Sequence, residues 1–450
     1  MTQTPLGWFG IIRLGLVQTA LGAVVVLTTS TMNRVMVVEL ALPAMIPGAL
    51  VTWHYALQML RPRWGYGSDV GGRRTPWIVG GMAVLATGGI GAALATAWMA
   101  TDFAAGAILA ALSFTLIGIG VGAAGTSLLV LLAKRVAAPR RAPAATIVWI
   151  MMIAGFAVTA GIAGHLLDPF SPARLVAVTS GVAVAAFLLA VVAVWGVEGR
   201  ASATHQPAEA AAAKPPFRVA LAEVWAEPEA RRFTIFLFMS MLAYSAQDLI
   251  LEPFAGAVFG LTPGESTKLS GLQHSGVLTG LIVVAIAGSS LCRGWAGSMR
   301  QWVIGGCLVS AMALASLVVA GAVGPVWPLN ASVFVLGAAN GAFAGAAITS
   351  MMGLAGQGRA SREGVRMGMW GASQAVAFGL GGFAGTVAVD MVRYFVGEPV
   401  IAYTGVFATE ALLFVISAVL ALQIHGLEQP VERDRTRTVE EGFAAGTGRG

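Results

Sequence analysis

Two carboxylates one helical turn apart, Asp248 and Glu252, stand inside a run that is otherwise apolar from Phe233 to Leu261. The i, i+4 spacing puts both acids on one helix face. A charge near a bilayer centre costs about 3 kcal/mol or more unless it is paired or wetted. Two on one face therefore predict a cavity or an interior seam. The chemistry open to them is proton exchange or recognition of a polar substituent on a ligand. The structural alternative is a pair held by amides or by an arginine such as Arg34. Gln247 adjoins Asp248, so the candidate ligand or proton site comprises Asp248, Glu252, Gln247, Arg34 and Glu39. Pro253 follows at once and predicts a kink or an end to the helix. Counted from Arg232, a helix rising about 1.5 Å per residue carries Asp248 roughly 24 Å up. That is the outer third of a membrane, with Glu252 near the outer mouth.

Arg34 and Glu39 bracket the first expected outer loop, and a local salt bridge accounts for them. His54 falls near the middle of the second span, between Trp53 and Tyr55. Neutral imidazole is a common metal ligand and can hold the magnesium of a chlorin; a hydrogen bond across helices is the plainer account. His274, at the outer start of the eighth span, is a second candidate of the same kind. Cys292 and Cys307 are the only cysteines and show no metal-ligand spacing, so neither a disulfide framework nor a metal site is expected. Gly120, Gly122 and Gly125 match a dinucleotide fingerprint, but they sit mid-span with no strand before them, so helix packing explains them. Asp248-Leu-Ile-Leu-Glu252 also resembles the D-x-x-x-D of membrane prenyltransferases. Those enzymes need several such acids to hold magnesium and a diphosphate. No second acidic motif stands at membrane depth, so no catalysis and no intrinsic cofactor are expected.

The elements that position these residues follow from composition. The 450 residues are 57% hydrophobic and 11% charged, where a soluble domain is about 25% charged. An all-α polytopic membrane protein is expected, with the lipid bilayer as solvent. Twelve spans are predicted, near 12–32, 41–60, 76–98, 104–133, 144–167, 174–196, 233–260, 268–291, 302–322, 328–354, 367–390 and 402–425. All basic residues except Arg34, Arg174, Lys268 and Arg393 then fall on one side. That places both termini in the cytoplasm. It also excludes a nucleic-acid partner despite the net charge of +6, because the basic residues sit in short loops. The first apolar run, Leu14–Met32, is too long for a cleavable signal and reads as a retained span. Residues 1–196 form one half and 233–425 the other. Between them, 197–232 is a cytoplasmic linker with a short surface helix, and 426–450 is a charged, Gly-rich tail.

The halves read as a duplication. Arg13 matches Arg232, Gly118 matches Gly337 and Gly122 matches Gly341 at an offset of 219 residues; Trp149, Gly161 and Gly164 match Trp370, Gly382 and Gly385 at 221. Asp168 and Asp390 then close the fifth and eleventh spans. Two six-span halves related by an axis along the membrane normal describe the major facilitator fold. The loop after the second span agrees. Gly65, Asp69, Gly72, Arg73 and Arg74 match the facilitator pattern G-x-x-x-D-R-x-G-R-R, with Val70 where the pattern has Arg. The equivalent loop, Cys292-Arg293-Gly294, lacks the acid.

Three stretches carry a narrower resemblance: Leu14–Glu39, Arg61–Asp69 and Ala246–Phe254. They resemble the PucC/LhaA family, a facilitator branch of phototrophic bacteria, over nearly all twelve spans. One branch is named for bacteriochlorophyll synthase without an evident active site of its own, and this chain is similar to that branch. The resemblance implies a bacterial inner (intracytoplasmic) membrane and a role in assembling light-harvesting complexes. It implies as partners bacteriochlorophyll as a bound ligand, light-harvesting apoproteins and bacteriochlorophyll synthase. His54 and His274 are then candidate pigment ligands. A proton-coupled secondary transporter and a non-catalytic subunit of the synthase are the alternatives.

Overall fold

The computed structural model describes residues 5–60, 73–137, 140–198, 217–288, 298–355 and 363–424, whose regular elements are all helices, with no strand among them. The N-terminal half holds α1 (Trp8–Glu39), α2 (Met45–Leu57), α3 (Thr75–Met99), α4 (Phe103–Arg135), α5 (Arg141–Leu167) and α6 (Pro172–Val194). A ten-residue helix, α7 (Phe217–Ala226), follows. The C-terminal half holds α8 (Pro228–Phe259), α9 (Pro263–Ala287), α10 (Met299–Val323), α11 (Leu329–Ala355), α12 (Glu363–Val396) and α13 (Pro399–Leu422). Among the described residues, eleven helices are long and apolar enough to cross a membrane. The twelfth predicted span, 41–60, corresponds to α2, whose 13 residues fall short of that length and run into a 3-residue 3₁₀ turn, Gln58–Leu60; the loop beyond it, with Gly65, Asp69 and Gly72, lies outside the described residues, as do the 292–294 loop, 199–216 and the tail.

One element runs past its expected end, and another passes intact through its proline. The first span does not end at residue 32: α1 continues to Glu39 and contains two π-helical turns, Leu27–Thr31 and Val35–Glu39. Arg34 and Glu39 therefore lie within a helix, not on either side of a loop. At Pro253, where a kink or an end was expected, the helix does not end; α8 continues to Phe259, in keeping with the span 233–260, and stops at Gly260, whose φ of 70° suits a residue without a Cβ. Proline at 253 has no N–H to give the Leu249 carbonyl. Asn33 Nδ2, from α1, donates to that oxygen instead at 2.5 Å. The break expected from sequence is thus repaired by a side chain of the other half.

Apolar burial divides with the chain. One large buried cluster draws on α1–α6 and the other on Val224 through Ile424, with Leu249 of α8 reaching across to the first. Close helix approach rests on small residues. A Cβ on Gly120 of α4 would meet the Leu85 nitrogen of α3 at 2.6 Å, which is the packing role expected of that glycine run.

The halves meet along α5 against α9, α2 against α12, and the π turns of α1 against α8 and α9. At one end, Asp390 of α12 accepts from the Ala44 and Met45 amides at 2.9 and 2.7 Å, capping the N-terminus of α2. Asp168, after α5, accepts from Thr262 Oγ1 at 2.9 Å and pairs with Lys268 Nζ at 3.5 Å, at the start of α9. These two ties use the aspartates that the duplication sets in equivalent places. At the opposite end, Glu227 binds the buried Arg366 through two hydrogen bonds of 2.9 and 2.7 Å.

Candidate functional site

The acids of α8 share a face, yet their surroundings differ. Asp248 lines a cavity between the halves, together with Thr29, Ser30, Thr52, Tyr55, Gln273 and His274. The cavity volume is about 60 Å³. Glu252, one turn along, is buried in the seam and is 2% exposed. Its carboxylate accepts from Ser30 Oγ of α1 and, at 3.3 Å, from Ser266 Oγ of α9. Ser30 also meets Ser270 Oγ at 3.1 Å, and Thr31 meets Thr267 at 3.1 Å. Three helices from two halves thus converge on one carboxylate. The first π turn of α1 supplies Ser30 and Thr31 to this network; such turns gather at functional positions because they re-aim side chains.

Arg34 lies at the end of this seam, buried to 2% exposure. It pairs with Glu39 and donates to the Leu261 carbonyl at 2.5 Å. The guanidinium packs on Gly256 of α8, where an added Cβ would meet it at 2.9 Å. Arg34 lies within electrostatic reach of Glu252. Gln247 is fully buried, is not in the wall of the Asp248 cavity, and has no protein partner for either side-chain polar atom.

The two histidines separate. His54 is buried, its Nε2 3.0 Å from Gln58 Nε2 and its ring 4.6 Å from Tyr55; it is absent from the cavity wall. His274 is in the wall, edge-on to Phe156 at 5.0 Å. Its Nδ1 lies 2.8 Å from the Ser270 carbonyl. A carbonyl only accepts, so Nδ1 carries the proton and Nε2 of the neutral ring keeps its lone pair. His274 is thus the imidazole with an accepting nitrogen beside Asp248.

Of the facilitator loop, Arg73 and Arg74 are described. The Arg74 and Thr75 amides, at the N-terminus of α3, donate to Glu198 at 2.5 and 2.8 Å. Burial pushes the Glu198 carboxyl up, but the hydrogen bonds from Thr75 and Arg74 and the charge of Arg73 outweigh it and hold the acid below its ordinary value.

One residue escaped the sequence reading. Glu410, inside α13, is 2% exposed, and neither carboxyl oxygen has a protein partner. The signal was present, since it is the lone charge between Val400 and Leu422. A search for paired acids passes over it.

The helical bundle, with a cavity between its halves, defines a major facilitator fold. A solved peptide transporter POT in complex with sulfate superimposes with a TM-score of 0.69 at 13% identity, over 95% of this chain and 98% of that one. A D-xylose-proton symporter superimposes at 0.68, also at 13% identity, over 94% and 98%. Within that class the sequence is specific. The family described as "PUCC protein" matches residues 31–428, and the chain belongs to it. It is 53% identical over 416 residues to the "Bacteriochlorophyll synthase 44.5 kDa chain" of Rhodobacter capsulatus, covering 92% of this chain and 95% of that one. It is 30% identical over 438 residues to "Protein PucC" of the same organism, covering 92% of each.

Proposed function

We propose that this chain is a non-enzymatic assembly factor for photosynthetic light-harvesting complexes, which binds bacteriochlorophyll or a precursor and delivers it to apoproteins or to the synthase. It would act in the bacterial inner (intracytoplasmic) membrane with both termini in the cytoplasm. The observation that carries this reading is near full-length likeness to a chain named for bacteriochlorophyll synthase, within the PUCC family. The site supports a non-catalytic role. Diphosphate chemistry needs several carboxylates around magnesium, whereas Glu252 is committed to hydroxyls of the seam.

The cavity beside Asp248, at about 60 Å³, is far below the roughly 300–1,000 Å³ of small-molecule pockets. A tetrapyrrole ring does not fit it in this form. A lateral groove of about 370 Å³, lined by Met45, Leu50, Trp53, Met99 and Ala107, has the room and is almost wholly apolar. Trp53 is half-exposed there, with its indole N–H held by Thr115 Oγ1 at 2.8 Å. The pigment reading therefore favours this groove as the resting place of a flat apolar ring. Protein purified from a pigment-making host should carry bacteriochlorin absorbance, and Trp53→Ala should lower it about five-fold, the worth of one stacking contact near 1 kcal/mol. No absorbance in the wild type, with normal antenna assembly in a deletion strain, refutes the reading.

A transporter reading is favoured by Asp248 in a cavity between two halves. Under it, Asp248→Asn abolishes proton-linked solute flux in proteoliposomes. The name of the 53% relative favours a non-catalytic synthase subunit; under that reading the synthase co-purifies and loses esterifying activity when this chain is removed.

A further inference from the structure

We infer that Glu410 is a proton-binding site of the C-terminal half and that it exchanges its proton with Asp248 in the cavity wall. The inference does not depend on the cargo.

Ring contacts fix the level of Glu410. Phe254 of α8 packs on Tyr403 and Phe407 of α13 at 6.0 and 5.0 Å. Arg232, at the start of α8, reaches the Gln423 carbonyl beyond the end of α13. The two helices are therefore antiparallel, and Gln247 falls beside Glu410. Tyr244 meets Phe343 of α11 at 6.3 Å, and Phe343 meets Phe414 at 5.6 Å. Asn340, one turn before Phe343, comes to the same level. Its Oδ1 accepts from Ser310 Oγ of α10 at 2.8 Å, while Nδ2 has no protein partner. Gln247 and Asn340 are both fully buried. At one level the half thus holds two amide donors and two carboxyl oxygens, all without protein partners.

A buried, unpartnered carboxylate at membrane depth is strongly disfavoured as a charge. Among the described residues the neighbouring helices offer no cation at this level. From α8 come Tyr244 and Asp248, and Glu252 further along, already bound to hydroxyls; from α10 comes the buried Cys307. From α12 come Asp390 and Arg393, near Tyr403. Arg232 and Arg300 bind carbonyls at the other end of α13. A proton neutralises the acid where an ion pair is unavailable. Asp248 adjoins Gln247 in the chain and so stands within one residue of the level of Glu410 on α8, and the two charges act on one another. Two carboxyls that interact titrate as a coupled pair: one Glu410 O–H bond breaks as one Asp248 O–H bond forms, and net charge is conserved.

The test is infrared difference spectroscopy of the purified full-length protein across a pH series, comparing wild type with Glu410→Gln and Asp248→Asn. The expected result is a carboxylic-acid C=O band that Glu410→Gln removes and Asp248→Asn shifts in frequency and in titration midpoint. An acid band unchanged by Glu410→Gln overturns the proposal. So does a Glu410 band indifferent to Asp248→Asn, which would leave Glu410 a structural acid. If Glu410→Gln does not fold, Gln247→Leu must move the same band, and a band it leaves in place is again a refutation. Sodium chloride titrated against potassium chloride in the wild type covers the remaining case. A sodium-specific gain in melting temperature, with no acid band, would mean that the group binds a metal cation and not a proton.

Discussion

Pro253 removes one rung from α8, and Asn33 of the opposite half replaces it. A buried acceptor left without its donor costs about 1–3 kcal/mol, so Asn33→Ala should destabilise the protein by that amount. In a Pro253→Ala background, residue 253 regains an N–H for the Leu249 carbonyl, and the same Asn33 change should cost well under half as much. A double-mutant cycle on thermal unfolding measures the coupling. Reading the sequence gave Pro253 its local meaning, a missing donor. It could not show which distant side chain repairs the loss, because that partner lies 220 residues away in the chain. The acid pair was legible because i, i+4 spacing is a local rule. The separation of Asp248 into a cavity and Glu252 into a hydroxyl seam was not, since it depends on what α1 and α9 present.

At the scale of elements, the spans were legible because hydrocarbon demands long apolar runs, and most ends fall within a few residues of those expected. The start of α3 shows what such reading leaves out. Its first amides are capped by Glu198, from beyond the end of α6, and this tie joins two helices that their own sequences do not connect. Because the folded Glu198 carboxyl sits below its ordinary value of 4.5, its contribution is present above that value and is lost as pH falls through the folded value. Glu198→Gln should therefore lower stability by about 0.5 kcal/mol at neutral pH, a cap discounted for solvent. The deficit should vanish in acid, as read by melting temperature across a pH series.

Across the whole molecule, Asp168 and Asp390 tie α5 to α9 and α2 to α12 at one end of the cavity. The duplication exposed both residues as span-closing equivalents, though not that each reaches into the other half. If those ties hold the cavity shut, Asp390→Asn, which halves the acceptor capacity at two amides, should favour opening by about 1 kcal/mol, a several-fold rise in the open population. A cysteine at Val25, in the cavity wall, reports on this in a background lacking Cys292 and Cys307. It should react several-fold faster with a membrane-impermeant thiol reagent in the Asp390→Asn protein, and equal rates would show that the tie does not gate entry.

The underwound stretches of α1 carry a last consequence. Each five-residue π turn makes room for a residue that an ordinary winding would not hold. Excising one residue between Leu27 and Thr31 would return that turn to ordinary winding and leave Asn33 and Arg34 facing nearly as before, at the cost of the aim of Ser30 and Thr31. Excising one between Ile11 and Val26 has no such outlet: the two sides of the cut would swing by about 100° relative to each other around the helix axis. Asn33 could then keep the Leu249 carbonyl, and Arg34 the Leu261 carbonyl, only if the start of α1 left its place in the core. The wide turn is thus the place where this helix can lose length without losing register.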